Sequence, residues 1–322
     1  MLGNERLLLQ LKTAVNEQRV AHAYLLSGAV GSGKKTLAKI MSRMFLCENG
    51  GCGSCTACNK LKLGVHPDLI ELHGENKNGS YSVDQIRALR KDALVYPNES
   101  AKKVYILHDA HLFSDGAQDA FLKILEEPPE FVVFILLCSD EGRLFATILS
   151  RVIRLPLAYP DEAVTQAWLS EQVSAPEQLL QTALRVAGGN PGQALALLKQ
   201  DTLTKQINLC ETFCKTLLVG TAYELAAMNH RLASDKKEFA AFLKMLCLYL
   251  RDILVYKTAS DTSELIFAES IAQNGSIYAR MRTSGIPSAI EQIGQLAEDT
   301  AKAINITLIE MRLVTLVKEE LI

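Results

Sequence analysis

Gly28-Ala29-Val30-Gly31-Ser32-Gly33-Lys34 follows a short apolar run, Ala23–Ser27, and leads straight into an amphipathic stretch. A strand, a glycine-rich turn and a helix in that order aim backbone N–H groups at a phosphate, and the lysine adds a point charge for the terminal phosphates. The context predicts a nucleotide-binding loop at the carboxyl end of a β-strand. Further β-branched runs at residues 68–72, Lys103–Leu107, 131–137 and 152–157 alternate with helical patterns. That alternation predicts a parallel sheet with helices on both faces, an α/β domain. After Tyr159-Pro160 the strand patterns stop. Apolar residues then recur at steps of three and four, as in Phe239, Phe242, Leu243, Leu246, Leu250, Ile253 and Leu254, and again through residues 290–322. Gly188-Gly189-Asn190-Pro191-Gly192 is the one sharp interruption. We therefore expect an α/β domain at residues 1–157, a small helical domain at 158–203 and an all-α domain at 204–322.

The loop departs from a hydrolytic one in a specific way. Position 35, where a serine or threonine hydroxyl would ligate magnesium, is a lysine with no lone pair to offer. Thr36 does not substitute, because one residue along a helix turns the side chain by about 100°. Residues 103–111 read as a buried strand ending in polar groups, where a nucleotide hydrolase places a magnesium-bound Asp and a water-activating Glu. His108 and Asp109 stand there instead. Imidazole is a poor exchange for carboxylate at a hard cation, and Asp109 is one methylene shorter than Glu. The expectation is a degenerate site formed by Gly28, Gly31, Ser32, Gly33, Lys34, Lys35 and Thr36 with His108 and Asp109. ATP or ADP binding stays open, magnesium is expected to bind poorly, and no intrinsic ATPase activity is expected.

Cys47-x4-Cys52-x2-Cys55-x2-Cys58 supplies four thiolates in a short segment, with glycines at 50, 51 and 53 to let the chain turn. Four sulfurs suit tetrahedral zinc in a structural role, although the same set also binds an iron–sulfur cluster. Cys138, Cys210, Cys214 and Cys247 lie in apolar settings and read as core. His66, His73 and His230 have no second ligand at a useful spacing, so solvated or core roles are expected, and Trp168 reads as a packing residue. Lys102-Lys103 and residues 87–91 are short basic groups without aromatic residues between them and read as solvated surface.

Composition narrows the function classes. The 322 residues are 48% apolar, enough core for two or three domains, and 34 basic against 36 acidic residues give a net charge of −2. That balance speaks against a protein that grips nucleic acid by charge alone, including a self-contained zinc-dependent DNA binder. No run has the ~20 apolar residues of a membrane span, and the N-terminal stretch lacks the pattern of a signal peptide, so a cytosolic location is expected. No set of magnesium-binding carboxylates for nucleotidyl transfer can be recognised, so polymerase activity is not expected of this chain.

His22-Ala23-Tyr24-Leu25 and Ala120-Phe121-Leu122-Lys123-Ile124-Leu125-Glu126-Glu127-Pro128-Pro129 resemble the bacterial replicative clamp-loader subunits of the AAA+ class. The likeness spans most of the first 200 residues. Ser150-Arg151-Val152 resembles that family's serine-arginine-cysteine motif, with Val152 as a departure, and implies that Arg151 reaches a neighbouring subunit's ATP. Gly192 occupies the place of a nucleotide-sensing arginine in the hydrolysing relatives, and Cys138-Ser139 stands at the family's other sensor position. With Lys35 and His108, Gly192 favours the delta-prime branch over the gamma/tau branch. An active gamma/tau-like motor is the alternative. The resemblance implies a hetero-pentameric ring with gamma/tau and delta subunits, a collar built from the third domain, and indirect action on a sliding clamp and primer-template DNA within the DNA polymerase III holoenzyme.

Overall fold

The computed structural model describes residues 3–259, 262–300, 302 and 304–322. They divide into two compact units, one of residues up to 165 together with 190–193, the other of residues 166–189 and 194–322.

The first unit runs α1 (Glu5–Asn16), β1 (Ala23–Ser27), α2 (Lys34–Leu46), α3 (Thr56–Leu63), β2 (Leu69–Leu72), α4 (Val83–Ala93), β3 (Lys103–Leu107), α5 (Asp115–Glu126), β4 (Val132–Cys138), α6 (Ala146–Leu149) and β5 (Ile153–Pro156). The strands form one parallel sheet in the order β2-β3-β4-β1-β5. Every residue of β1, β3 and β4 is buried, which explains why these runs are apolar without alternation. Successive side chains feed opposite faces. Leu25, Tyr105, Phe134 and Leu136 pack with Ile86 of α4 and Phe121 of α5, whereas Tyr24, Leu26, Ile106 and Ile135 pack with Leu37 and Met41 of α2. The sheet is thus covered on both faces, as the sequence predicts.

β1 and β3 have the predicted bounds, while β2 and β5 are shorter and β4 is shifted one residue toward its carboxyl end. Asp68 falls outside β2 because its carboxylate has another use. It is fully buried and accepts backbone N–H groups from Asn98, Glu99 (2.8 Å) and Ser100 (2.8 Å), and the Asn98 side-chain amide at 3.1 Å. Burial opposes its charge, but the converging donors prevail and hold the carboxyl below its ordinary range. Ser100 in turn donates to the Leu46 carbonyl at 3.0 Å, at the end of α2 just before Cys47. Lys103 is a correction to the sequence reading. It is buried, with its ammonium 3.0 Å from the Asp92 carboxylate, because it begins a central strand and points into the protein.

The remaining chain is helical: α7 (Glu162–Gln172), α8 (Glu177–Val186), α9 (Pro191–Leu198), α10 (Thr202–Val219), α11 (Ala222–Leu232), α12 (Lys236–Thr258), α13 (Ala268–Gln273), α14 (Gly275–Tyr278), α15 (Ile286–Asp299) and α16 (Ile306–Leu321). α12 packs on α10 and α15, and α16 on α11 and α15. The periodic residues Phe239, Phe242, Leu243, Leu246, Leu250 and Ile253 are all buried there, and Trp168 packs against the same core. Among the described residues no helix is long and apolar enough to cross a membrane.

Asp68→Ala is expected to lower the unfolding free energy by about 3 kcal/mol at neutral pH, since it strands several buried donors at once. Because folding depresses this carboxyl's pKa, its contribution is present above the unfolded value of about 3.9 and fades as pH falls through the folded one. Denaturant titrations of both proteins should therefore diverge at pH 7 and converge in strong acid. Equal midpoints at pH 7 would contradict the clasp.

Candidate nucleotide site and cysteine cluster

The glycine-rich loop leaves the carboxyl end of β1 and becomes α2 at Lys34, with Gly31 and Gly33 in the left-handed region at φ +90° and +92°. Ser32 is buried, and its Oγ has no hydrogen-bond partner among the described residues. The Lys34 ammonium, nearly buried, donates to the carbonyls of Gly28 and Ala29, the latter at 2.8 Å. Burial lowers its pKa, and Asp109 nearby partly offsets this. Lys35 and Thr36 are exposed on the first turn of α2.

His108 and Asp109 follow β3. Asp109 is exposed and opens a 3-10 turn at Ala110–Leu112 in a left-handed conformation, φ +50°. His108 is buried and does not stand alone. Its Nε2 lies 2.9 Å from Glu71 Oε2, and its ring stacks on His73 with centroids 4.0 Å apart. Burial pushes the His108 pKa down against the pull of Glu71, and the His73 and Lys35 charges push the same way as burial. His73 thus has neighbouring donors in space that its spacing along the chain does not suggest. Parallel pairing of Leu72 with Leu107 sets the next residues, 73 and 108, side by side. Strand register, which spacing along the chain does not show, makes them neighbours. At the end of β4, Cys138 is buried, its thiol pushed up to about 11 by burial, and Ser139 Oγ meets His111 Nε2 at 3.1 Å.

The first turn of α9 closes over the loop. Asn190, 1% exposed, donates to the Val30 carbonyl at 2.7 Å and the Tyr159 hydroxyl at 3.1 Å, while its Oδ1 accepts from Gly192 N and Gln193 N at 3.1 Å. A Cβ at Gly31 would stand 2.6 Å from Asn190 Oδ1, and a Cβ at Gly192 would stand 2.5 Å from the Gly31 carbonyl. Any side chain at 192, an arginine included, is therefore excluded while the two backbones stay this close. Glycine at this position is a packing requirement.

Arg151 follows α6. It is partly exposed and donates to the Thr147 carbonyl at 3.0 Å and to Glu126 Oε1 at 3.1 Å. Glu126, which ends α5 within the Glu126-Glu127-Pro128-Pro129 stretch, escaped the sequence reading as a partner of Arg151.

Cys47, Cys52, Cys55 and Cys58 converge between α2 and α3, all four sulfurs within 4.8 Å of one another. The Cys47 sulfur lies 3.7 Å from Cys52 and 3.6 Å from Cys55. Both are far beyond disulfide length and close to the ~3.8 Å edge of a tetrahedron with 2.3 Å zinc–sulfur bonds. Gly50, Gly51 and Gly53 all have positive φ, and Gly53 N and Cys58 N donate to the sulfurs of Cys58 and Cys55. The N–H groups of Ser54 and Cys55 hold the Cys52 thiol at about 6, and burial drives Cys58 to about 12. A cation shared by all four would draw both into the thiolate form. The donor set fits zinc.

A phosphate loop on a parallel five-stranded sheet, followed by helices, defines an α/β protein of the AAA+ class. The family described as DNA polymerase III, delta subunit, matches residues 3–161, and the AAA+ ATPase lid domain of DNA polymerase III subunit delta' matches residues 160–199. The chain is 34% identical to DNA polymerase III subunit delta' of Escherichia coli K12, covering 70% of this chain and 69% of that one. It is also 34% identical to the Pseudomonas aeruginosa delta', covering 77% and 76%. DNA polymerase III subunit tau of Bacillus subtilis is 31% identical over 80% of this chain, which spans only 50% of tau. A solved gamma subunit-related protein of Thermotoga maritima shares the fold, with TM-score 0.53 and 18% identity over 97% of this chain and 99% of that one. The chain belongs to the delta' family of DNA polymerase III clamp-loader subunits.

Gly31→Ala is expected to cost about 2–3 kcal/mol, from left-handed backbone strain and the contact with Asn190 together. Adding Asn190→Ala should relieve only the contact, so a double-mutant cycle by denaturant unfolding should show coupling of at least ~0.5 kcal/mol. Strict additivity would contradict the close approach.

Proposed function

We propose that this chain is the non-hydrolysing member of its loader, completing a neighbour's ATP site with Arg151 while its own nucleotide site is vestigial. The observation that carries this reading is the approach of Gly192 and Asn190 to the phosphate loop, since Gly192 stands where the resemblance implies an arginine in hydrolysing relatives. Lys35 and the Glu71-bound His108 support it further, since neither is a magnesium ligand of the expected kind. Retained Lys34 favours an active gamma/tau-like motor, but its ammonium is engaged by the loop's own carbonyls.

Arg151 suits a role in trans because a guanidinium stays charged at all working pH values and forks onto phosphate oxygens. Its bonds to Thr147 and Glu126 are partly exposed, so a neighbour's phosphates can displace them at little cost. In this reading residues 1–157, 158–203 and 204–322 act as ATPase-fold, lid and collar segments. The collar assembles with gamma/tau and delta subunits into a pentameric ring that acts on a sliding clamp at primed DNA. The four cysteines hold structural zinc and leave no open position for a substrate.

In the reconstituted loader, Arg151→Ala should silence the one ATP site it serves, an effect of ~10³ or more at that site, with assembly unchanged. Clamp- and DNA-stimulated ATP turnover measured beside the unmodified complex tests this, and equal rates would refute the role in trans. Elemental analysis of chain prepared without chelator should give one zinc, and Cys55→Ser should lose it together with thermal stability. Full zinc content in that variant would refute the cysteine site.

A further inference from the structure

Glu71, His73 and His108 form a second donor cluster, apart from the cysteines, with one ligand atom of each within 4.8 Å of the others. The sheet builds it. Leu72 pairs with Leu107, so residues 73 and 108 leave parallel neighbouring strands together, and Glu71 shares a strand face with His73 two residues on. The His108 ring is 4% exposed. Its Nε2 is engaged by Glu71 at 2.9 Å, whereas its Nδ1 is buried with no partner among the described residues. A buried ring nitrogen left without a partner is costly, and such groups call for an explanation. A carboxylate on one imidazole nitrogen is also the arrangement that orients a histidine whose other nitrogen binds metal.

We infer that this cluster holds a divalent transition cation of the zinc or cobalt class, with His73 and His108 as nitrogen ligands and Glu71 orienting His108 and balancing charge. Imidazole donors suit such ions and not magnesium. The strand-end position that would carry magnesium in a hydrolase would then have exchanged its cation preference. This inference does not depend on whether nucleotide binds. One rearrangement is required. The His73 and His108 rings are face to face, 11° from parallel, and an imidazole lone pair lies in the ring plane, so both cannot aim at one ion as they stand. His73 is exposed and can turn about its side-chain torsions while buried His108 stays in place. Lys35, whose charge reaches His108, opposes cation entry and sets the affinity below that of the four thiolates.

The test is a Co2+ titration of untagged full-length chain, with its cysteine site already metal-loaded, at neutral pH in excess Mg2+. Bound cobalt is read by equilibrium dialysis and visible absorption. We expect one further equivalent without the intense near-ultraviolet sulfur-to-cobalt bands that mark thiolate ligation. His73→Ala and Glu71→Gln should each weaken it at least ~10-fold. Glu71→Gln keeps a hydrogen-bonding group beside His108 Nε2, so its unfolding midpoint should move little, and that control separates lost ligation from lost fold. Failure of unmodified chain to take up this equivalent, or uptake indifferent to both substitutions, would overturn the inference and leave adventitious binding only. ATP turnover is not the readout, so the outcome is independent of the proposed vestigial nucleotide site.

Discussion

Asn190 is the hinge of the account. One buried amide bonds the loop through Val30, bonds Tyr159, and collects the first two free N–H groups of α9. Those bonds bring two backbones so close that both Gly31 and Gly192 must lack a Cβ. A buried amide with donors and acceptor all satisfied is worth more than its separate bonds, because losing it would strand several partners at once. The loop is thereby given an internal partner drawn from the chain itself, at residues 190–193.

Lys35 and His108, which the proposed reading counts as departures from a hydrolytic pattern, interact electrostatically. The Lys35 charge lowers the pKa of both Lys34 and His108, a minor push beside that of burial. Glu71 then partners His108 from the neighbouring strand. Arg151 is tied to α5 by Glu126, and the proposed division of labour assigns it the neighbour's ATP site.

Much of the fold was legible in the sequence because central strands of a parallel sheet are buried on both faces and read as unbroken apolar runs. The edge strands were harder, since Asp68 belongs to a loop clasp whose donors lie some thirty residues away. The cysteine cluster was legible because all four cysteines come from one short segment. Glu71, His73 and His108 were not, since spacing along the chain says nothing about residues joined by strand register. Lys103 misled because charge was read as exposure, whereas a long side chain starting a buried strand can carry its ammonium to a carboxylate such as Asp92. Asn190 lay within a recognised glycine-rich break, but its role depends on the loop it touches.

The most direct test of the central claim is steady-state hydrolysis of saturating Mg-ATP by the purified chain alone, at a protein concentration high enough to detect a slow site. Turnover indistinguishable from the buffer blank, unchanged by Lys34→Ala, is expected. Turnover at ordinary P-loop rates that disappears with Lys34→Ala would contradict it and restore this chain to the motor subunits.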